Sequence, residues 1–172
     1  AFDYSRMKKD VPEEWQRFPT QREMRTMTYM AIACGAKGIV YWSLSRLRTP
    51  VEDPSKSQPQ EHWEWLSATT RELKQLQPLL TADTPELRAM KNNVASMVKS
   101  DGSDIYIIAA NYERTPTQTV ISVPGIKRAV AEIMFEGGEA EVVEGELQCS
   151  LDEVESRVYR LRPESIERYA EG

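Results

Sequence analysis

Several acidic side chains that could do acid/base chemistry lie close together in the first third of this chain. Asp10, Glu13 and Glu14 form one cluster, and Glu52 and Asp53 form another. Paired carboxylates can act as general acid and base. Adjacent carboxylates in long polar loops are more often solvated surface groups. We therefore expect neither cluster to be catalytic.

The inventory of metal-ligating and phosphate-binding residues is small. His62 is the only histidine, and the two cysteines, Cys34 and Cys149, lie in different halves of the chain. These residues cannot assemble a Cys/His metal cluster, and Gly35 and Gly38 fit neither phosphate-binding glycine motif. We expect no metal and no cofactor, and we interpret the cysteines as two buried thiols. His62, at the start of a predicted helix, is expected to be exposed or to neighbour the helix cap.

The distribution of charge narrows the classes of partner. The chain has a net charge of −5, and residues 82–172 hold 17 Asp/Glu against 10 Lys/Arg. Such an acidic half disfavours a nucleic-acid partner, which requires a basic face. No apolar run reaches the length of a membrane span, so we expect no membrane partner. The chain begins at Ala1 without the pattern of a signal peptide, which leaves the compartment unknown.

The elements that must position any site begin with a helix over residues 20–35. Thr20 and Glu23 form a capping box, and Gly35 supplies the stop. Apolar and small residues recur at helical spacing and predict a core-facing stripe, composed of Met24, Met27, Thr28, Ala31 and Cys34.

An apolar run without alternation follows at once. Gly38-Ile-Val-Tyr-Trp-Ser-Leu44 is rich in β-branched and aromatic residues, which indicates a strand buried on both faces. The polar, proline-containing residues 45–60 predict a long loop, and a second helix is expected over 60–77. In parallel α/β barrels, the loops after the strands build the active site.

From residue 94 onward the pattern becomes that of short antiparallel strands. Seven strands are predicted, at 94–99, 105–111, 117–123, 128–135, 140–143, 146–150 and 157–161. Their regular spacing and turn residues predict a small antiparallel β-sandwich domain over 94–162. We expect 82–93 to be a linker with a short helical turn near 85–90, and 163–172 to be a frayed or weakly helical tail.

A single parallel strand between two helices cannot satisfy its own backbone hydrogen bonds. Its donors and acceptors need strands on both sides. The fold class predicted is therefore α/β plus all-β: residues 1–81 as an incomplete parallel α/β unit that needs further strands, followed by the sandwich. The missing N-terminal strands are expected as a partner, either in cis or as a second chain.

Residues 18–43 carry a family resemblance. This stretch resembles the barrel end of bacterial β-glycosidase-like proteins of the large retaining clan of glycoside hydrolases. In that family, a helix of the type Pro-Thr-x-x-Glu-x-Arg precedes a strand reading Gly-Ala-x-Gly-Ile-x-x-Trp/Tyr-Ser. A helix ending like Glu72-Leu-Lys-Gln-Leu-Gln-Pro-Leu-Leu80 and a sandwich with strands like 104–111 and 158–161 commonly follow.

The resemblance implies where the catalytic groups lie. It makes residues 1–81 the incomplete last part of a TIM (β/α)8 barrel, with 20–35 as the seventh helix, 39–43 as the eighth strand and 60–77 as the eighth helix. Retaining enzymes need two carboxyl groups about 5–5.5 Å apart. In this family those groups follow the fourth and seventh strands, which would place both upstream of Ala1, so the catalytic pair is not in this sequence.

What the resemblance leaves in this chain is part of a carbohydrate cleft. Trp42 and Ser43 would stand at the mouth of the barrel, where the Trp42 indole could lie against a pyranose ring and Ser43 could bond the substrate. Alternatively, Trp42 packs inside the barrel and Ser43 bonds the local backbone. Phe2 and Asp3, just past the seventh strand, could line the same cleft.

Two classes of function therefore compete. The leading hypothesis is the C-terminal fragment of a retaining glycoside hydrolase, inactive alone. For a polysaccharide-degrading parent of this kind, the resemblance implies a secreted or periplasmic location. The alternative is a non-catalytic carbohydrate-binding or structural sandwich attached to a barrel scaffold, in which Tyr106, Tyr112 and Tyr159 could form a sugar-binding face. More simply, these tyrosines are core or interface residues.

Overall fold

The computed structural model describes residues 18–41 and 58–169 of the 172-residue chain. In chain order, the elements are α1 (Gln21–Ala33), α2 (Pro59–Gln75), α3 (Gln77–Thr81), β1 (Glu86–Lys91), β2 (Val94–Ser100), β3 (Ile105–Asn111), β4 (Thr117–Ser122), β5 (Ile126–Met134), β6 (Glu139–Val143), β7 (Glu146–Leu151) and β8 (Ser156–Arg168). The two main helices and all seven predicted strands are confirmed.

The strands form one strongly curved antiparallel sheet. Its order is β1-β2-β3-β8-β5-β6-β7-β4. The curvature brings the β1–β2 turn to the opposite edge, where the Asn92 side chain donates to the Gln118 carbonyl over 3.1 Å and the Thr117 hydroxyl donates to the Asn92 carbonyl over 3.2 Å. The antiparallel architecture is confirmed, but the strands form a nearly closed single sheet where two stacked sheets were predicted.

The two faces of the sheet bury different cores. The inner face is filled by residues from β2 to β8, with Ile107, Tyr159 and Leu161 at its centre. The outer face packs against Tyr29 and Ile32 of α1 and against residues of the α2–α3 region. Because alternate residues of a strand point to opposite faces, one strand can serve both cores.

Residues 82–93, predicted as a linker, contain the strand β1. The residues of β1 favour helix by intrinsic propensity, so the sequence offered no strand signal there. Asn92 and Asn93 have φ of 51° and 60°, the left-handed values of a two-residue hairpin turn, and this turn pairs β1 with β2. The predicted tail is also ordered as strand, because β8 continues to Arg168 along β5. The domain boundary near 82–93 stays a prediction.

The predicted core stripe of α1 is correct only in part. Met24 and Thr28 are buried, but Met27 is 53% exposed and Cys34 is an exposed free thiol. The buried face is turned instead toward the outer core, where α1 contacts the sheet. The prediction of two buried thiols is therefore wrong for Cys34 and confirmed for Cys149.

The predicted buried strand is described only at its beginning. Residues 38–41 form no strand, and Val40 is 86% exposed. Among residues 18–41 and 58–169, no parallel strand lies beside them to complete the hydrogen bonds. An apolar sequence alone cannot hold an extended segment as a strand without such a neighbour.

Candidate functional site

The four residues predicted to line a sugar cleft lie outside the described residues. These residues are Phe2, Asp3, Trp42 and Ser43. The two acidic clusters, at residues 10–14 and 52–53, also lie outside the described residues. The described structure nonetheless includes the segment that leads into Trp42 and the helices on either side of it.

The chain leaves α1 through a tight turn at Gly35. The amides of Gly35 and Ala36 donate to the carbonyls of Ile32 and Ala31, as in a Schellman motif. Gly35 has φ of +101°, and a Cβ there would lie 2.5 Å from the guanidinium carbon of Arg88 in β1. The positive φ therefore favours glycine here, and an added Cβ would also have to displace the flexible end of the Arg88 side chain.

Substitution of Gly35 gives a direct measure of this turn. Gly35→Ala should lower the free energy of unfolding by about 1–2 kcal/mol, because a Cβ strains the left-handed backbone and displaces Arg88. Gly38→Ala is the matched control, since an added Cβ there meets nothing within 4 Å. Urea denaturation of both variants checks this, and equal stability of the two would show that the turn is unconstrained.

Two further contacts hold the segment between Gly35 and Tyr41. Lys37 Nζ donates to Glu86 Oε1 of β1 over 3.2 Å, and the hydroxyl groups of Tyr41 and Thr28 lie 2.7 Å apart. Burial raises the pKa of Tyr41, so its hydroxyl stays protonated at neutral pH. The residue before Trp42 is thus tied to α1.

Aromatic rings pack around the first turn of α2. The rings of Phe18 and His62 stack with centroids 3.6 Å apart, and Trp65 lies 5.4 Å from His62. Of the two expectations for His62, exposure is wrong because the residue is 3% exposed, and the position beside the helix cap is confirmed because its amide donates to the carbonyl of the N-cap Gln58. Burial lowers the pKa of His62. The neutral imidazole acts here as an aromatic packing surface, whereas Trp63 is half exposed.

Arg25 of α1 is the centre of a charged network between the helices and the sheet. Its Nε donates to Glu72 Oε2 of α2 over 2.8 Å, and its Nη1 donates to the Ser156 carbonyl of β8 over 2.7 Å. Its Nη2 lies 2.7 Å from Glu136 Oε1 in the turn after β5. The guanidinium carbon is 4.9 Å from the centroid of the Tyr29 ring.

The electrostatics of this network indicate a structural role. The Tyr29 hydroxyl donates to Glu72 Oε2 over 2.8 Å, and burial with the nearby Glu72 charge raises the pKa of Tyr29. Burial also raises the pKa of Glu136 despite the attraction of Arg25. Because Glu72 is engaged by both Arg25 and Tyr29, this carboxylate is arranged to hold helices together more than to transfer protons. Sequence reasoning missed the network, whose members are up to 131 residues apart.

The tyrosines proposed as a sugar-binding face do not share one. Tyr159 is 1% exposed in the inner core, with its hydroxyl 3.3 Å from Cys149 Sγ, and Tyr106 is 7% exposed in the outer core. Only Tyr112 of the three is exposed. The interpretation as core and interface residues is confirmed for the first two.

The described residues contain neither a cluster of metal ligands nor a helix that could span a membrane. Within 18–41 and 58–169, no three His, Cys, Asp or Glu side chains gather as a metal site would require. In the same residues, no helix has the length and apolar character to cross a membrane.

Comparison with known proteins finds similarity of structure only. No family model and no curated protein matches the sequence. An α-amylase from Geobacillus thermoleovorans, complexed with acarbose, is similar with a TM-score of 0.59 at 16% identity, covering 84% of this chain and 34% of that one. A GH27 β-L-arabinopyranosidase from Geobacillus stearothermophilus has a TM-score of 0.56 at 16% identity, and the alignment covers 89% of this chain and 32% of that one. AmyP E221Q in complex with maltotriose has a TM-score of 0.55 at 11% identity, and the alignment covers 83% of this chain and 35% of that one.

These structural neighbours are glycoside hydrolases, and at such identities the likeness shows the fold alone. The chain spans about a third of the length of each of the three. The strands from β1 to β8 occupy fewer than half of the 172 residues. Coverage above 80% of this chain therefore requires that the alignment extend beyond the sheet into the helical part.

Proposed function

We propose that this chain is the C-terminal part of a retaining glycoside hydrolase and contributes one wall of its sugar cleft. The observation that supports this most is the extent of the structural likeness, which takes in the helical part together with the sheet in carbohydrate-cleaving enzymes. A sheet acquired as an independent module would match such enzymes over its strands alone.

In this proposal the chain supplies binding and not proton transfer. Two carboxyl groups from the preceding barrel strands act as nucleophile and acid/base. The Trp42 indole presents an apolar face to the sugar ring and Ser43 a hydroxyl, with Phe2 and Asp3 beside them. The helices α1 and α2 hold this wall against the sheet through the outer core and Arg25.

Hydrolysis of aryl glycosides tests the proposal. The product of the complete open reading frame should release nitrophenol from at least one member of a panel of α- and β-glycosides, with retention of anomeric configuration by NMR. The 172-residue chain alone should release none. Turnover by the chain alone would show that it holds its own carboxylate pair, and an inactive complete product would contradict the assignment as a hydrolase.

The alternative, a non-catalytic carbohydrate-binding or structural module, is distinguished by polysaccharide retention. The outer face of the sheet is occupied by the helices and the inner face by its own core, which favours a structural role for the sheet. We expect no retention of the 172-residue chain on insoluble polysaccharides. Retention that is lost in Tyr112→Ala would favour the binding module instead.

A further inference from the structure

The edge strand β1 contacts the exit of α1 at successive points. The Arg88 guanidinium lies over Gly35, and Lys37 Nζ is 3.2 Å from Glu86 Oε1. Glu86 also forms an ion pair with Arg88, and its second oxygen lies 3.9 Å from Lys99 Nζ on β2. One carboxylate therefore gathers three cations, one from the α1 exit and two from the sheet.

Burial makes this arrangement resistant to rearrangement. The Lys99 side chain is only 3% exposed and that of Glu86 is 19% exposed. Removing the carboxylate would leave the buried ammonium of Lys99 without its nearby anion, which is costly. The position of Glu86 is thus set by the sheet, and Lys37 forms its ion pair with a carboxylate that the sheet holds in place.

We infer that β1 clamps the α1 exit and that Glu86 is a positioning residue for the segment from Gly35 to Tyr41, which precedes the proposed sugar-binding residue Trp42. The effect of the clamp on sugar binding rests on the proposed function, in which Trp42, the residue directly after Tyr41, contacts the sugar. The clamp holds one end of the connection at Gly35 and Lys37, and the bond between Tyr41 and Thr28 holds the other. Sugar affinity would then depend on a residue of the sheet that touches no sugar.

Backbone dynamics of the 172-residue chain test the clamp without any need for activity. In Glu86→Gln and Lys37→Met, the ¹⁵N order parameters of residues 37–41 should fall from about 0.85, typical of a rigid backbone, toward about 0.6. Glu141→Gln is the matched control, because the Glu141–Arg128 pair is an exposed pair elsewhere on the sheet. Lys37→Met removes only an exposed side chain, so it keeps the test valid if Glu86→Gln fails to fold. Unchanged order parameters in both variants would overturn the clamp.

Kinetics of the complete reading-frame product test the positioning role. Lys37→Met should raise KM for an aryl glycoside about two- to fivefold, the range that corresponds to loss of an exposed ion pair, with little change in kcat. Glu86→Gln, which also leaves Lys99 without its nearby anion, should raise KM at least as much. An equal loss of kcat and kcat/KM, or an unchanged KM beside altered order parameters, would overturn the positioning role. If the unmodified product is inactive, the proposed function fails, while the order parameters still decide whether β1 is a clamp.

Discussion

Replacing Arg25 with Met should lower the free energy of unfolding by about 2–4 kcal/mol, somewhat less than the cost of removing one partner from a fully buried ion pair, because Arg25 and Glu72 are only partly buried. The side chain of Arg25 is 14% exposed and that of Glu72 is 18% exposed, so two carboxylates near the helix–sheet boundary would lose their cation. The Ser156 carbonyl would lose its donor as well. Urea denaturation followed by circular dichroism measures the change.

Two comparison variants separate this effect from a general loss of positive charge. Arg128→Met removes an arginine that is 63% exposed and pairs with Glu141 at the surface, so it should cost less than about 1 kcal/mol. Arg25→Lys should be only slightly more stable than Arg25→Met. A lysine ammonium lacks the planar guanidinium that reaches Glu72, Ser156 and Glu136 together. A loss in Arg25→Met as small as that in Arg128→Met would show that the network is dispensable.

Neighbouring residues of β3 offer the second large effect. Ile107 lies in the inner core and Ile108 in the outer core, and both are 0% exposed. Ile107→Ala and Ile108→Ala should each cost about 2–5 kcal/mol, because each leaves a cavity in a packed core. We expect each variant to shift the tryptophan fluorescence transition and the far-ultraviolet circular dichroism transition together.

The same pair of variants tests the predicted domain boundary. All four tryptophans precede residue 82, and two of them, Trp63 and Trp65, lie on α2. Fluorescence therefore reports on the helical side, whereas far-ultraviolet circular dichroism reports on strands and helices together. Val130→Ala, at a site 41% exposed, is the control and should change stability little. If Ile107→Ala moved only the circular dichroism transition, helices and sheet would unfold independently, and 82–93 would divide two autonomous domains.

The elements that the sequence predicted correctly are those with local signals. The capping box of Thr20 and Glu23 specifies where α1 begins, and both of its hydrogen bonds are present. The alternating strands after residue 94 are likewise specified by short-range pattern and turn residues. β1 was missed because its pairing depends on the Asn92-Asn93 turn and on β2, which overrides residues that favour helix.

The candidate site was harder to predict because its supports are long-range. Arg25 looks like an ordinary helical arginine until Glu72 and Ser156 are brought to it by the fold. His62 was expected to be exposed or to neighbour the helix cap, and its burial was not predicted because Phe18, which stacks on it, is distant in the sequence. For Trp42, Ser43, Phe2 and Asp3, the role in a sugar cleft stays a prediction.

The two-faced burial of the sheet has a consequence for how such proteins can be rearranged in evolution and in the laboratory. Met97, Ile108 and Val158 lie on the strand side of the outer core, and α1 and the α2–α3 region cover them. Cutting the gene between helices and strands would leave these side chains as a contiguous apolar patch, which promotes aggregation. The sheet is thus a poor candidate for shuffling between proteins, and a chimera should carry α1 and α2 along with it.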